Sequence, residues 1–136
     1  MNNFAAARKQ SALIGRKGED AAAKLLQCAG LTILARNWRC RAGELDIVAL
    51  DGEEIVFVEV KSLRIKPHFT PAANLSFRQR QRNFNAARVY LRALHIFERP
   101  CRFDLIEVSF RSNTIVSIIR NRDYLPPLPP ENEKNV

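Results

Sequence analysis

No acidic residue occurs between Val60 and Phe97. The same stretch carries eight bases: Lys61, Arg64, Lys66, Arg78, Arg80, Arg82, Arg88 and Arg92. A solvated surface helix usually interleaves the two signs. A run this one-sided points to phosphate contact instead. The whole chain leans the same way, with 22 Lys and Arg against 14 Asp and Glu, a formal charge of +8. A polyanionic partner is the expectation.

Other absences narrow the field. No apolar run approaches the roughly 18 residues of a membrane helix. The segment Met1–Gln10 has no apolar stretch of the signal-peptide kind, and no basic helix shows a clean apolar face for lipid. A cytoplasmic protein without a membrane partner is expected. The three cysteines, Cys28, Cys40 and Cys101, are odd in number and form no C-x-x-C. That excludes a disulfide framework and a cysteine zinc site and leaves buried free thiols as the expectation. His68 and His95 stand too far apart for a metal box. There is no P-loop, no dinucleotide fingerprint and no serine-triad turn.

What is present is an ordinary globular composition, 46% hydrophobic and 26% charged over 136 residues. That is one domain with enough chain for a core without staples. A first helix is predicted over Ser11–Ala29, preceded by a flexible arm, residues 1–10, and stopped by Gly30. Ala22, Leu25, Leu26 and Ala29 form its apolar stripe, and Glu19 shares that inward face. Gly15 and Gly18 weaken such a helix, so each implies a close backbone approach. Strands follow at Leu31–Trp38, Glu44–Leu50 and Ile55–Lys61, with a turn at Asp51-Gly52. A second helix, Phe77–Leu94, opens with Ser76 and Gln79 spaced as a capping box. Its core stripe is Phe84, Ala87, Leu91 and Leu94. Two strands, Arg102–Phe110 and Thr114–Arg120, close the domain at residue 124. The tail, 125–136, holds four of the seven prolines and reads as extended. The order αβββαββ implies an α/β fold, a mixed sheet flanked by helices.

The third strand, I-V-F-V-E-V-K, is apolar on both faces and therefore buried in the sheet. Glu59 and Lys61 at its end are costly there unless paired or metal-bound. Asp46 is a lone acid on the preceding strand. A two-residue hairpin loop pairs Leu50 with Glu53 and leaves Asp46 and Glu59 as diagonal neighbours, about 7–8 Å apart. A four-residue loop pairs Leu50 with Ile55 and sets Asp46 opposite Glu59 at about 5 Å. Both put Asp46, Glu59 and Lys61 on one face.

Two carboxylates held together repel unless a cation sits between them. Oxygen ligands with open positions suit Mg²⁺ or Mn²⁺. Such an ion stabilises charge on a phosphodiester and activates water. Lys61 then holds or deprotonates that water, or neutralises the charged phosphorus centre. Glu19 completes the acidic cluster. Taken alone, E-x-K is common and usually a structural salt bridge. Its combination with a registered acid, an inward helix acid and a basic helix downstream is what favours a site. Trp38 reads as core packing rather than as a base-stacking platform, and Asp104 beside Arg102 as a local salt bridge.

These residues also carry a family resemblance. Gly15-Arg-Lys-Gly18-Glu19-Asp-Ala-Ala, Gly43-Glu44-Leu45-Asp46-Ile47-Val48 and Val56-Phe57-Val58-Glu59-Val60-Lys61 resemble the YraN family of small bacterial proteins. Ala86-Ala87-Arg88-Val89-Tyr90-Leu91 and Arg102-Phe103-Asp104 extend the likeness more loosely, so that it covers about Ile14 to Arg122. That family is similar to Holliday junction resolvases of the restriction-endonuclease-like PD-(D/E)xK superfamily. The resemblance implies a mixed four-stranded core sheet, here with one further strand. By position it implies Asp46 and Glu59 as metal ligands, Lys61 as the catalytic lysine and Glu19 as an additional acid. Leu63 stands where the family often has Arg, with Arg64 next. The loop from Ser62 to Phe77 lacks the family's frequent glycine. Arg78 and Arg80 flank Gln79, near which the family often has a base.

The sequence thus implies a Mg²⁺- or Mn²⁺-dependent endonuclease acting on branched DNA. Glu19, Asp46, Glu59 and Lys61 are its candidate catalytic residues. Arg64, Lys66, Arg78, Arg80 and Arg82 are its candidate nucleic-acid contacts. A homodimer is an expectation of the resemblance to enzymes that cut two strands. A nucleic-acid-binding module that keeps the fold without turnover remains the alternative. A protein-interaction domain would show no salt-sensitive DNA binding at all.

Overall fold

The computed structural model describes residues 3–66, 68, 75–96 and 98–128. The elements run α1 (Asn3–Cys28), β1 (Thr32–Cys40), β2 (Gly43–Asp51), β3 (Glu54–Arg64), α2 (Phe77–Ala93), β4 (Cys101–Arg111) and β5 (Thr114–Asn121). The predicted order αβββαββ is the order observed. Most of the loop between β3 and α2, and tail residues 129–136, lie outside the described residues.

The five strands form one mixed sheet in the order β1-β2-β3-β4-β5. Three neighbouring pairs are antiparallel, and β3 and β4 are parallel. Parallel neighbours need a long crossover, and α2 supplies it. β3 sits in the middle, which is why it is apolar on both sides. Val56 and Val58 face α1 in a core with Ile14, Ala22, Leu26, Ile47 and Ile106. Ile55 and Phe57 face α2 in a second core with Phe84, Ala87, Tyr90 and Leu91. The sheet is thus sandwiched between the two helices, the α/β arrangement that the element order implied.

α1 starts at Asn3, eight residues before the expected Ser11. Residues 3–10, expected as an arm, are a helical extension lying almost wholly in solvent. Ala5-Ala6-Ala7-Arg8-Lys9-Gln10 are strong helix formers, so propensity sustains a turn that packing does not. At its other end the Gly30 amide bonds the Gln27 carbonyl at 3.0 Å and the Leu31 amide the Leu26 carbonyl at 3.0 Å. Gly30 has φ +91°, the left-handed stop this closure uses. Leu26 and Leu31 then meet in the core. Ala29, expected on the stripe, is exposed because the helix has already ended.

In α2 the Ser76 hydroxyl accepts from the Gln79 amide at 3.1 Å. Phe84, Ala87 and Leu91 are buried as expected, but Leu94 lies past the last turn and is 50% exposed. Trp38 packs edge-on against Tyr90 with ring centroids 5.3 Å apart, as a core residue. The three cysteines are free, but Cys28 is exposed and the other two only half-buried, which corrects the expectation of buried thiols. Arg102 bonds Asp104 at 3.0 Å, the expected local salt bridge. Leu125 and Leu128, at the start of the tail, rest on the α2-side core with neither helix nor strand. Among the described residues no helix is long and apolar enough to cross a membrane.

Candidate active site

The β2–β3 hairpin resolves the register that the sequence left open. Leu50 pairs with Ile55 and Asp51 with Glu54 around Gly52, whose φ is +61°. This is the register in which Asp46 comes opposite Glu59. The ladder runs only to Ile47 and Val58. There the strands part. The next β3 amide inward, that of Val60, donates to Asp46 Oδ2 at 2.9 Å. A carboxylate has taken the place of a ladder carbonyl. Beyond this point Leu45 packs with Val48 on the α2 side, although strict alternation would set it with Ile47. The strand therefore turns at Asp46.

The parting opens a cleft of about 400 Å³. Ser11, Gly15 and Glu19 of α1 form one wall, and Glu59, Lys61 and Arg64 of β3 another, with Asp46 at the base. All four residues named as catalytic candidates, Glu19, Asp46, Glu59 and Lys61, thus line one cavity. α1 reaches this position because Gly18 lets it lie against β3. A Cβ on Gly18 would stand 2.1 Å from Ser62 Oγ. That hydroxyl donates to the Ile14 carbonyl at 3.4 Å.

The two central carboxyl groups interact, and the contact raises Glu59 while it lowers Asp46. Burial pushes Glu59 up to about 8, and the neighbouring Asp46 adds to the rise, while Lys61 opposes it. Asp46 is also raised, by burial first, against the pull of the Val60 amide. Lys61 Nζ lies 3.5 Å from Glu59 Oε1. Glu19 is raised by its burial and, less strongly, by Asp46, while the Asn37 side chain donates to its carboxylate and lowers it. These are the features of a centre where negative charge is concentrated and only partly compensated. Among the described residues, no group of three or more His, Cys, Asp or Glu is placed to hold a metal ion. A cation here would take two protein carboxylates and fill its remaining positions with water or phosphate, the habit of Mg²⁺.

Two contacts escaped the sequence. The Gln79 side chain does not return to close the capping box. Its amide donates to Glu59 Oε1 at 3.4 Å and to Asn83 Oδ1 at 3.5 Å. Gln79 looked like a helix-start residue because its backbone is one. Asn37 on β1 holds φ +50°, and that left-handed kink accompanies its contact with Glu19. An isolated Asn in a strand of mixed polarity gave no signal of this.

The expected nucleic-acid contacts are placed unevenly. Arg64 is exposed on the cleft wall and Lys66 is exposed just beyond it. Arg78 and Arg82 are exposed on α2, whose first turn carries Gln79 to Glu59. Arg80 is half-buried, and its Nε is buried without a hydrogen-bond partner among the described residues.

Comparison with known proteins finds a matching family model. Residues 18–108 match the model of the uncharacterised protein family UPF0102. A UPF0102 protein of Hahella chejuensis is 39% identical over 101 residues, 74% of this chain and 82% of that protein. One from Clostridium kluyveri is 40% identical over 106 residues, 77% and 87% of the two chains. One from Nitratidesulfovibrio vulgaris is 46% identical over 100 residues, 74% and 75% of the two chains. The matched span contains the second glycine of α1, both strands of the acidic hairpin, α2 and most of β4.

Proposed function

The chain belongs to the uncharacterised protein family UPF0102, also called YraN, and from its cleft we propose a metal-dependent endonuclease that hydrolyses phosphodiester bonds in branched DNA. The observation that carries the reading is the meeting of Asp46 and Glu59 where β2 and β3 part, with Lys61 Nζ 3.5 Å from Glu59. A buried pair of acids that retains a proton near neutrality is poorly compensated by the protein alone. The donor set fits a hard divalent cation.

Asp46 and Glu59 would hold Mg²⁺ or Mn²⁺. The ion, when bound, supplies charge stabilisation at the scissile phosphate and a water of lowered pKa. The chain's own residues do the rest. The Val60 amide fixes the Asp46 carboxylate. Lys61 brings a half-exposed cation to the cleft, where it donates to a phosphate oxygen or orients the attacking water. Glu19 reaches the same cleft from α1 and accepts protons there. Arg64, Lys66, Arg78, Arg80 and Arg82 contribute the salt-dependent part of binding. A homodimer working in the cytoplasm belongs to the same proposal, because resolving a junction takes two cuts.

The test is cleavage of labelled linear, flapped and four-way-junction DNA with Mg²⁺ or Mn²⁺, beside Asp46→Asn and Lys61→Ala. Metal-dependent cutting lost in both variants is the expected result. Binding that survives without cutting on every substrate would replace the enzyme by a non-catalytic nucleic-acid-binding module.

A further inference from the structure

α1 contains two glycines three residues apart, and glycine weakens a helix interior. The fold accounts for one of them. Gly18 is buried against Ser62, with no room for a side chain. Gly15 is different. Its backbone is not in the left-handed region, since the glycines there are Gly30, Gly43 and Gly52. A Cβ built on it would meet no described atom within 4 Å. Neither backbone conformation nor packing among the described residues requires a glycine. What Gly15 does is leave open space, and that space is the cleft.

Its neighbours on the helix say what would fill the space. Arg8, Ser11, Gly15 and Glu19 follow one another at helical spacing along a single line. Ser11, Gly15 and Glu19 line the cleft, and exposed Arg8 stands one turn beyond its lip. The chain from Met1 to Gly18 has four bases, Arg8, Lys9, Arg16 and Lys17, and no acid. Arg64 stands on the β3 wall. A visitor entering between two basic lips toward the acidic centre is anionic and extended. It lies where the helix backbone is bare.

We propose that Gly15 is the point at which a nucleic-acid strand crosses α1, its sugar–phosphate backbone lying against the bare helix between Arg8 and the Asp46–Glu59 centre. The proposal deepens the nuclease reading and rests on it. Gly15 is a contact residue that sets how closely the strand approaches the carboxylates. An alanine methyl holds the strand off by part of its own radius, and a leucine side chain fills the crossing.

The experiment measures binding in EDTA, so that no cutting intervenes. The probe is a fluorescein-labelled four-way DNA junction read by anisotropy, with wild type, Gly15→Ala, Gly15→Leu and Arg8→Ala compared. Thermal midpoints are recorded for each. Gly15→Ala is expected to melt at or above wild type, because alanine favours the helix. It should nevertheless bind about tenfold more weakly, and Gly15→Leu more weakly still. Arg8→Ala should lower the salt dependence of log Kd by about one unit of slope. Gly15→Leu binding the junction as wild type does would overturn the crossing. Equal loss in the Ala and Leu variants would overturn it too, since that pattern reports helix flexibility rather than space. Wild type that binds no nucleic acid would overturn the nuclease reading and the crossing together.

Discussion

The Gln79 backbone amide donates to the capping Ser76 hydroxyl, and its side chain touches Glu59, Nε2 to Oε1 at 3.4 Å. Glu59 Oε1 thus faces two donors, Gln79 and Lys61, from two different elements. The cap and the contact are separable. Ser76 accepts from the backbone amide at position 79, whatever side chain stands there. Gln79→Ala should therefore keep α2 and cost only about 1 kcal/mol of stability. Gln79→Lys brings a second cation to the carboxyl and should pull Glu59 down from about 8 toward neutrality. Carbon-13 NMR titration of the Glu59 carboxyl reads the shift. An unmoved titration would mean that residue 79 does not face Glu59 in solution.

The raised Glu59 makes stability depend on pH with a definite sign. The folded chain holds its proton up to about 8, against 4.5 for an unperturbed glutamate. Between those values the folded state binds more protons than the unfolded one, so stability falls as pH rises through that window. Glu59→Gln removes the penalty. It should match wild type below pH 4.5 and exceed it above pH 8, by on the order of a few kcal/mol. Urea unfolding at a series of pH values checks this. A variant less stable than wild type at pH 9 would refute it.

The same proton reports on the cation. If Asp46 and Glu59 take Mg²⁺, binding must expel the proton that Glu59 holds at neutral pH. Wild type at pH 7 should release protons on adding MgCl₂, measured by calorimetry in buffers of different ionisation enthalpy. Its thermal midpoint should rise as the metal favours the folded chain. Asp46→Asn and Glu59→Gln should show neither effect.

Much of this arrangement was legible in the chain. β3 declared itself by being apolar on both faces, and Asp46, Glu59 and Lys61 stood out because such a strand has no use for charge. The hairpin register was not legible. Asp51-Gly52 marks the turn but does not choose between Leu50 opposite Glu53 and Leu50 opposite Ile55. The added pair Asp51–Glu54 decides it. The extension of α1 was missed because Asn3–Gln10 has no apolar stripe, and periodicity sees only helices that bury one. Gln79 and Asn37 were missed for another reason. Local spacing shows what a residue does to its own helix or strand, not which side chain it meets from another element.

Gly18 and Ser62 should behave as one unit. Gly18→Ala places a methyl on the Ser62 hydroxyl, which must leave the Ile14 carbonyl or push α1 away. A cost of about 1–3 kcal/mol is expected from the overpacking. In the double variant Gly18→Ala with Ser62→Ala, the clashing oxygen is gone and the remaining Cβ lies at 3.4 Å. It should recover most of the loss, a coupling seen directly in a double-mutant cycle. Strict additivity would show that α1 does not lie this close to β3.

At the start of β3, Arg102 ties neighbouring strands together. Its guanidinium bonds Asp104 at 3.0 Å, Asp51 at 3.0 Å, and Glu54. Asp104 also accepts from Arg120 at 3.4 Å and from the Asp123 amide at 3.1 Å. One buried cation thus joins the β2–β3 turn to the start of β4, and its partner aspartate adds the end of β5. Arg102→Ala leaves the fully buried Asp104 carboxylate short of its main partner. A loss of about 3–5 kcal/mol is expected. Arg102→Met with Asp104→Leu removes both charges and should cost less than the two single changes summed. Because Arg102 bonds Asp51 and Glu54 at the start of β3 and does not line the cleft, DNA binding of Arg102→Ala at a temperature where it is still folded should match wild type. Urea midpoints and junction binding at 15 °C, measured on the same preparations, separate the two effects. Loss of binding without loss of stability would move Arg102 from the scaffold to the substrate surface.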